Sequence, residues 1–303
     1  MPNWSEVLKE IQAVQVDGSL DVVRRRYLKK LHEKTGRNII AYYSGWLQRR
    51  SENSAAVQYL ATITDDDKNG FMNAIHGMNR SIGLDLILHT PGGDLAATES
   101  IVDYLHRMFG HDIRAFIPQL AMSGGTMIAC ACKEIFMGKQ SNLGPIDPQF
   151  GGIPAHGVIA EFNEAIKAIK NDPASIPIWR AVVEKYHPTF IGECQNAIDL
   201  ASEIVTEWLV SGMFFGDDNA NNKAACAVSK LNNHADTKTH SRHLHINEIQ
   251  EFGLKVVPLE DDSELQDIVL TIHHSYMHTF ACSNGIKIVE NHNGNAIVQN
   301  IKR

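Results

Sequence analysis

Between Leu84 and Met137 the chain alternates strand-like and helix-like runs, and that alternation constrains the fold more than any other feature. Leu84-Asp85-Leu86-Ile87-Leu88 is too short and too apolar for a surface helix and reads as a buried strand, closed by the turn Thr90-Pro91-Gly92-Gly93. Asp94 is placed to cap a helix running to about Phe109, with Gly110 as its stop. Asp112 to Ile117 is the next strand, ended by Pro118; Ser123 to Ala131 suits a short apolar helix, and Ile135 to Met137 a further strand. Strand–helix–strand units of this length predict an α/β fold with a mostly parallel sheet. Such a sheet offers a crevice at the carboxyl ends of its strands.

The flanks extend the same reading. Residues 1–36 are predicted to be a helical segment, with Ser5 capping Glu6 to Val14, Asp17 or Ser19 capping a second helix, and Gly36 ending it. The basic residues Arg24, Arg25, Arg26, Lys29 and Lys30 are expected on a solvated face. Asn38 to Tyr43 is a strand and 65–79 a helix. Beyond the loop Asn142-Leu143-Gly144-Pro145-Ile146-Asp147-Pro148, helices are predicted at 157–170, 176–186 and 189–212, and 213–245 is polar. Lys255 to Leu259 is a short strand, about 262–281 a helix, and Gly285–Val289 with Ala296–Ile301 a hairpin around Asn293-Gly294. The simplest organisation is one domain over 37–303 with helical insertions at about 157–250.

Several function classes are disfavoured. A net charge of −7 and the absence of a basic face argue against nucleic acid as partner. No apolar run reaches the roughly 18 residues of a membrane span, and the first residues lack a basic region followed by an apolar stretch, so a cytoplasmic setting is expected, with peripheral membrane contact left open. The five cysteines, odd in number, do not form a disulfide framework, and Cys130 and Cys132 read as small buried side chains. No phosphate-binding or dinucleotide-binding glycine pattern is present, so no cofactor is expected. The clusters His240, His243, His245 and His273, His274 lack completing ligands and are read as loop histidines rather than a metal site or a substrate pocket.

Acyl transfer by serine needs a nucleophile, a base, and donors aimed at the developing oxyanion. Ser123 follows a strand and opens a helix, and Gly124-Gly125 keep space beside it clear. Pro91-Gly92-Gly93 ends a different strand and presents an unobstructed amide. If the two strands are neighbours, the amides of Gly93 and Gly124 converge on one carbonyl oxygen.

These segments also resemble a known group. Leu86–Gly93 (LILHTPGG) looks like the oxyanion strand of the Clp-protease and signal peptide peptidase A families, and Ala121–Thr126 (AMSGGT) resembles their nucleophile turn. Asn142–Gln149 (NLGPIDPQ) resembles the following loop of the signal peptide peptidase A and NfeD-type peptidases. The joint pattern most resembles the serine dehydrogenase proteinases, with a weaker likeness continuing to Glu251-Phe252-Gly253-Leu254-Lys255-Val256. The resemblance implies a Clp-protease/crotonase-like spiral of parallel-rich sheets, a homo-oligomer, and ATP-independent hydrolysis of peptide or protein substrates in unfolded or extended form. It assigns the nucleophile to Ser123 and the oxyanion donors to Gly93 and Gly124.

The base is the open position. A Clp-type triad implies a histidine about 25 residues after the serine, where this chain has Asp147-Pro148-Gln149. The signal peptide peptidase type implies a Ser–Lys dyad, for which Lys185 is the preferred residue, with Lys139, Lys167, Lys170 and His156 as alternatives. A lysine serves only if burial lowers its pKa. Without a base, the chain reads instead as a catalytically silent peptide-binding or scaffold protein; crotonase-type acyl-CoA chemistry is a third reading.

Overall fold

The computed structural model describes residues 3–14, 18–49, 52, 54–232 and 239–301. Helices α1 (Trp4–Ala13) and α2 (Ser19–Thr35) precede strand β1 (Asn38–Ser44), and α3 (Ala55–Ala61) and α4 (Asp67–Ile75) lead to β2 (Leu84–His89). Then follow α5 (Leu95–Phe109), β3 (Ile113–Ile117), β4 (Leu120–Ala121), α6 (Gly124–Cys130), β5 (Glu134–Met137) and β6 (Asn142–Leu143). A short hairpin, β7 (Gln149–Phe150) and β8 (Ile153–Pro154), opens a helical stretch of α7 (Ala155–Asn171), α8 (Ile176–Val183), α9 (Phe190–Trp208) and α10 (Ala220–Leu231). The chain returns through β9 (Leu244–His245), α11 (Ile246–Glu251), β10 (Val256–Pro258) and α12 (Ser263–Cys282) to the hairpin β11 (Gly285–Asn291) and β12 (Ala296–Asn300).

The main sheet has the order β10-β5-β3-β2-β1-β11-β12. Its first five strands are parallel, and the closing hairpin pairs antiparallel to β1. Every residue of β1 and β2 is buried, because alternate side chains enter two different cores. Ile40, Tyr42, Leu84, Leu86, Ala115 and Ile135 face α5, α6 and α9. Ile39, Ala41, Tyr43, Ile87, Phe116 and Phe136 face α2 and α12. The two-residue period of a strand thus becomes a sheet covered on both faces.

A second, three-stranded sheet, β4-β6-β9, stands where β3 and β5 end. It is joined to β2 through a bridge between Thr90 and Ala121: the Thr90 amide donates to the Leu120 carbonyl at 3.1 Å and the Met122 amide to the Thr90 carbonyl at 3.0 Å. The seven-stranded and three-stranded sheets together give the mostly parallel α/β architecture that the strand–helix alternation predicts, in the Clp-protease-like form that the resemblance implies.

Four local expectations are corrected. Asn3, not Ser5, caps α1, accepting from the Glu6 amide; Asp17, the alternative cap for α2, lies outside the described residues. Arg24 does not lie on a solvated face: α2 packs on α12, and its guanidinium meets the buried Glu290 at 2.5 Å, which leaves only the outer part of the basic stripe in water. Within the polar stretch 213–245, residues 220–231 form α10, whose Ala224, Ala227, Val228 and Leu231 are buried; alanines at helical spacing give a weak apolar stripe that polar neighbours conceal. His273 and His274 lie on helix α12 rather than in a loop. His273 is buried, its ring 5.0 Å from that of His89.

Candidate active site

Ser123 sits on the turn between β4 and α6, with φ 50° and ψ −115°, and among the described residues it alone has positive φ without being glycine. A side chain in that region costs about 1–3 kcal/mol and persists only where the surroundings impose it. The neighbours that impose it are visible. β4 is held on one side by Thr90 and on the other by β6, through the pairs Leu120–Asn142 and Ala121–Leu143. The chain then folds at once into α6, where the Gly125 amide returns to the Met122 carbonyl at 2.8 Å. The hydroxyl is thereby carried outward on a sharp strand-to-helix turn, and Ser123 remains partly exposed while Gly124 and Gly125 are buried.

The Pro91–Gly93 loop packs onto this turn with backbone against backbone. Gly92 has φ +93°, and a Cβ added there would lie 2.6 Å from the Ser123 Cβ and 2.6 Å from the Met122 carbonyl oxygen. A Cβ on Gly93 would lie 2.3 Å from the Ile63 nitrogen, and one on Gly124 3.5 Å from the Gly93 nitrogen. Glycine at 92, 93 and 124 is the condition for this approach.

The direction of the Gly93 amide follows from its bridge to Ile63. The Ile63 amide donates to the Gly92 carbonyl at 2.8 Å and the Asp94 amide to the Ile63 carbonyl at 3.0 Å. In a parallel bridge of this kind, the N–H of the residue between those two points the other way, here toward the Ser123 turn. Among the described residues, neither the Gly93 nor the Gly124 amide donates to a protein acceptor. Two amides beside one partly exposed serine can stabilise an alkoxide that forms between them. Asp94 caps α5 through the Ala97 amide at 2.8 Å, and Thr98 bonds the Asp94 carbonyl at 2.7 Å, fixing the loop from its far side.

The segment 62–64 behind Gly93 is braced by a buried ion pair that sequence reading did not single out. Lys287 donates to the Thr62 carbonyl at 2.6 Å and meets both Asp67 oxygens, at 2.8 and 2.9 Å; Tyr42 also donates to Asp67. Burial pulls the Lys287 ammonium below its ordinary range while the Asp67 charge opposes that shift. Its donors are committed to this brace.

The candidate bases are less well placed. Lys139, Lys167, Lys170 and Lys185 are all exposed, without the burial that a lysine base needs. Lys185 follows α8, beside an aromatic cluster of Phe162, Tyr186 and Phe190. The Nε2 of His156 lies 3.1 Å from the Asn232 side chain, which also bonds Ser202, tying α7 to α9 and α10.

What the sequence reading passed over is a carboxylate–imidazole pair. His240 Nδ1 lies 2.8 Å from Asp147 Oδ1; the Asp147 side chain is fully buried and that of His240 is 24% exposed. Thr126 on α6 anchors the loop that carries Asp147. Its hydroxyl lies 2.9 Å from the carbonyls of Ala121 and Gly144 and accepts from the Gly144 amide at 2.9 Å. Among the described residues no cluster of three His, Cys, Asp or Glu side chains is arranged to hold an ion. Likewise no described helix is long and apolar enough to cross a membrane.

Two uncharacterized proteins of Methanocaldococcus jannaschii are similar to this chain. MJ1495 is 27% identical over 235 residues, 77% of this chain and 71% of that protein. MJ0137 is 32% identical over 157 residues, 52% of this chain and 54% of its own length. The family described as ClpP-like SDH-type serine proteinase matches residues 11–277, a span that holds both sheets' parallel strands and the Ser123 turn. With so much of the chain matched and the two-sheet architecture in place, the chain belongs to the ClpP-like SDH-type serine proteinase family.

Proposed function

We propose that the chain is a serine endopeptidase with Ser123 as nucleophile and the amides of Gly93 and Gly124 as oxyanion donors. The observation that carries this reading is the approach of the Pro91–Gly93 loop to the Ser123 turn, close enough that a Cβ on Gly92 would collide with that of Ser123. In the proposed reaction Ser123 Oγ bonds the scissile carbonyl carbon, the carbonyl electron pair moves onto oxygen, and the two amides receive that charge. Collapse expels the amine, and water then releases the acyl group from the serine. One side of the Pro91–Gly93 segment is taken by Ile63, so an extended peptide is the substrate form that suits the free side facing Ser123.

The reading includes ATP-independent action in the cytoplasm as a homo-oligomer. Ile176, Ile178, Val183 and Phe215, exposed on and near the α7–α10 helices, favour such an assembly. The test of the chemistry is covalent labelling with a fluorophosphonate, located by peptide mass analysis, beside hydrolysis of an unfolded polypeptide. Labelling at Ser123 that disappears in Ser123→Ala, with hydrolysis lost in parallel, is the expected result. An unlabelled wild-type protein, or hydrolysis that survives Ser123→Ala, overturns the reading.

A further inference from the structure

We infer that the buried pair of Lys287 and Asp67 positions the oxyanion amide of Gly93, so that the closing hairpin sets the geometry of the site. The inference rests on the serine-peptidase reading above and adds a positioning role to it. Both residues act through Ile63 rather than on the reacting atoms.

Ile63 is the joint. Its amide donates to the Gly92 carbonyl at 2.8 Å and its carbonyl accepts from the Asp94 amide at 3.0 Å, so Gly93 hangs between two bonds to one residue. The residues on either side of Ile63 are held from the opposite direction. The Thr62 carbonyl accepts from Lys287 at 2.6 Å, and the Thr64 amide donates to Asp67 Oδ2 at 2.9 Å. Tyr42 donates to the same oxygen at 2.9 Å, and Lys287 lies 2.8 Å from the other. Side chains from β1, from β11 and from the first residue of α4 therefore converge on the segment 62–64, whose middle residue carries the loop.

The cost of this arrangement points to a role beyond packing. Both side chains are 1% exposed. Two buried charges lose their hydration, and an apolar pair of similar volume is often as stable. What the charged groups add is direction: an ammonium with three donors and a carboxylate with two acceptors hold backbone groups that apolar side chains cannot.

β11 supplies its own comparison. Side chains alternate along a strand, so Glu290 faces the other side of the sheet from Lys287. Glu290 meets Arg24 at 2.5 Å and Arg25 at 2.6 Å, and Tyr276 donates to it at 3.1 Å. Those contacts tie α2 and α12 to the strand. One strand thus carries two buried ion pairs, and the one at Lys287 reaches the segment behind Gly93.

The test is fluorophosphonate labelling of Ser123 in the full chain over a series of probe concentrations, which separates the maximal rate from the half-saturating concentration. Lys287→Met is expected to lower the maximal rate roughly 10–10²-fold, less than the full loss of an oxyanion donor. The half-saturating concentration is expected to stay as in wild type, the split given by a donor misaligned in the transition state. Because Lys287→Met leaves Asp67 charged and buried, the second variant is Asp67→Asn with Lys287→Met. It removes both charges, keeps an acceptor for Thr64 and Tyr42, and is expected to show the same drop. Arg24→Met breaks the other ion pair of β11 and is expected to lower the melting temperature with both labelling constants unchanged. Added to Gly93→Ala, Lys287→Met is expected to deepen the defect less than about twofold, because an amide already displaced cannot be displaced again. A full maximal rate in either Lys287 variant, folded by circular dichroism, overturns the inference. So does an equal loss in Arg24→Met, or multiplying losses with Gly93→Ala. In each of these cases Ser123 still takes the label and the serine-peptidase reading stands. A wild-type protein that takes no label removes that reading and the inference together.

Discussion

The two halves of the candidate site are built differently. The half around Gly92, Gly93 and Gly124 is backbone against backbone: three glycines, each within 3.5 Å of a neighbouring strand or turn once a Cβ is imagined, braced from behind by Lys287 and Asp67. The half around Asp147 and His240 is side chain against side chain, partly open to solvent, and held to the first through Thr126. Backbone contacts of the first kind leave no room for variation and write themselves into the sequence as glycine. Side-chain contacts of the second kind can be met from any part of the chain that the topology brings near.

The sharpest way to break this contrast is a matched pair of glycine substitutions. Gly93→Ala drives a Cβ to 2.3 Å from the Ile63 nitrogen and 2.4 Å from its oxygen, so the loop must move and take its amide with it. Loss of one oxyanion donor is expected to slow fluorophosphonate labelling roughly 10²–10³-fold. Gly144→Ala, on the other half, meets first the Met122 methyl at 2.7 Å, the end of a flexible side chain, and then Met122 Cα at 3.2 Å. Its expected loss is about tenfold or less, since a methionine end can swing aside. Equal losses in the two variants dismiss the contrast.

The next effect concerns acid. His89 closes β2 just before the Pro91–Gly93 loop, and burial holds its pKa at about 3, far below the ordinary 6.5. His273, packed against it, is held low by burial first and by His89 second. A histidine kept neutral in the fold takes a proton more readily once unfolded. Its contribution to stability is therefore full above pH 6.5 and is lost progressively as the pH falls toward 3. For His89 alone the loss between about pH 7 and pH 5 comes to about 2 kcal/mol. Urea melts across that range are expected to show wild type losing this much more stability than His89→Phe. Parallel pH slopes in the two proteins place the acid sensitivity elsewhere, away from the backbone half.

How much of this was legible in the sequence follows the same division. The strand–helix alternation, the Asp94 cap, the Gly36 and Gly110 stops and the closing hairpin each rest on local chemistry, and each is found where that chemistry puts it. The cradle was legible because only glycine admits its approaches. Arg24 was misread because its burial depends on α12, some 250 residues away, whose packing leaves no mark on the α2 sequence. The Asp147–His240 pair was missed for a related reason: the partners are 93 residues apart, and neither has a spacing motif. One signal was present. An aspartate between Ile146 and Pro148, in a loop too apolar to stay in water, needs a distant polar partner once it is buried.

The smallest effect tests the joint between the halves. Thr126→Val keeps the shape of the side chain and removes its hydroxyl, leaving the buried Gly144 amide without its 2.9 Å acceptor. The stability cost is expected to be about 1 kcal/mol, near the low end for a buried donor left unpaired. What distinguishes a joint from a mere core contact is where the rest of the loss falls. Gly93 and Gly124 do not touch the Thr126 hydroxyl, whereas Asp147 is three residues from the amide it holds. If Thr126 registers the Asp147–His240 pair against the nucleophile, the valine variant is expected to label several-fold more slowly at 25 °C. Combined with His240→Ala, it then adds nothing further to any labelling defect, because a pair already broken cannot be misplaced. Independent, multiplying losses in the double variant mean that Thr126 acts on the nucleophile turn alone, and that the two halves are set by separate means.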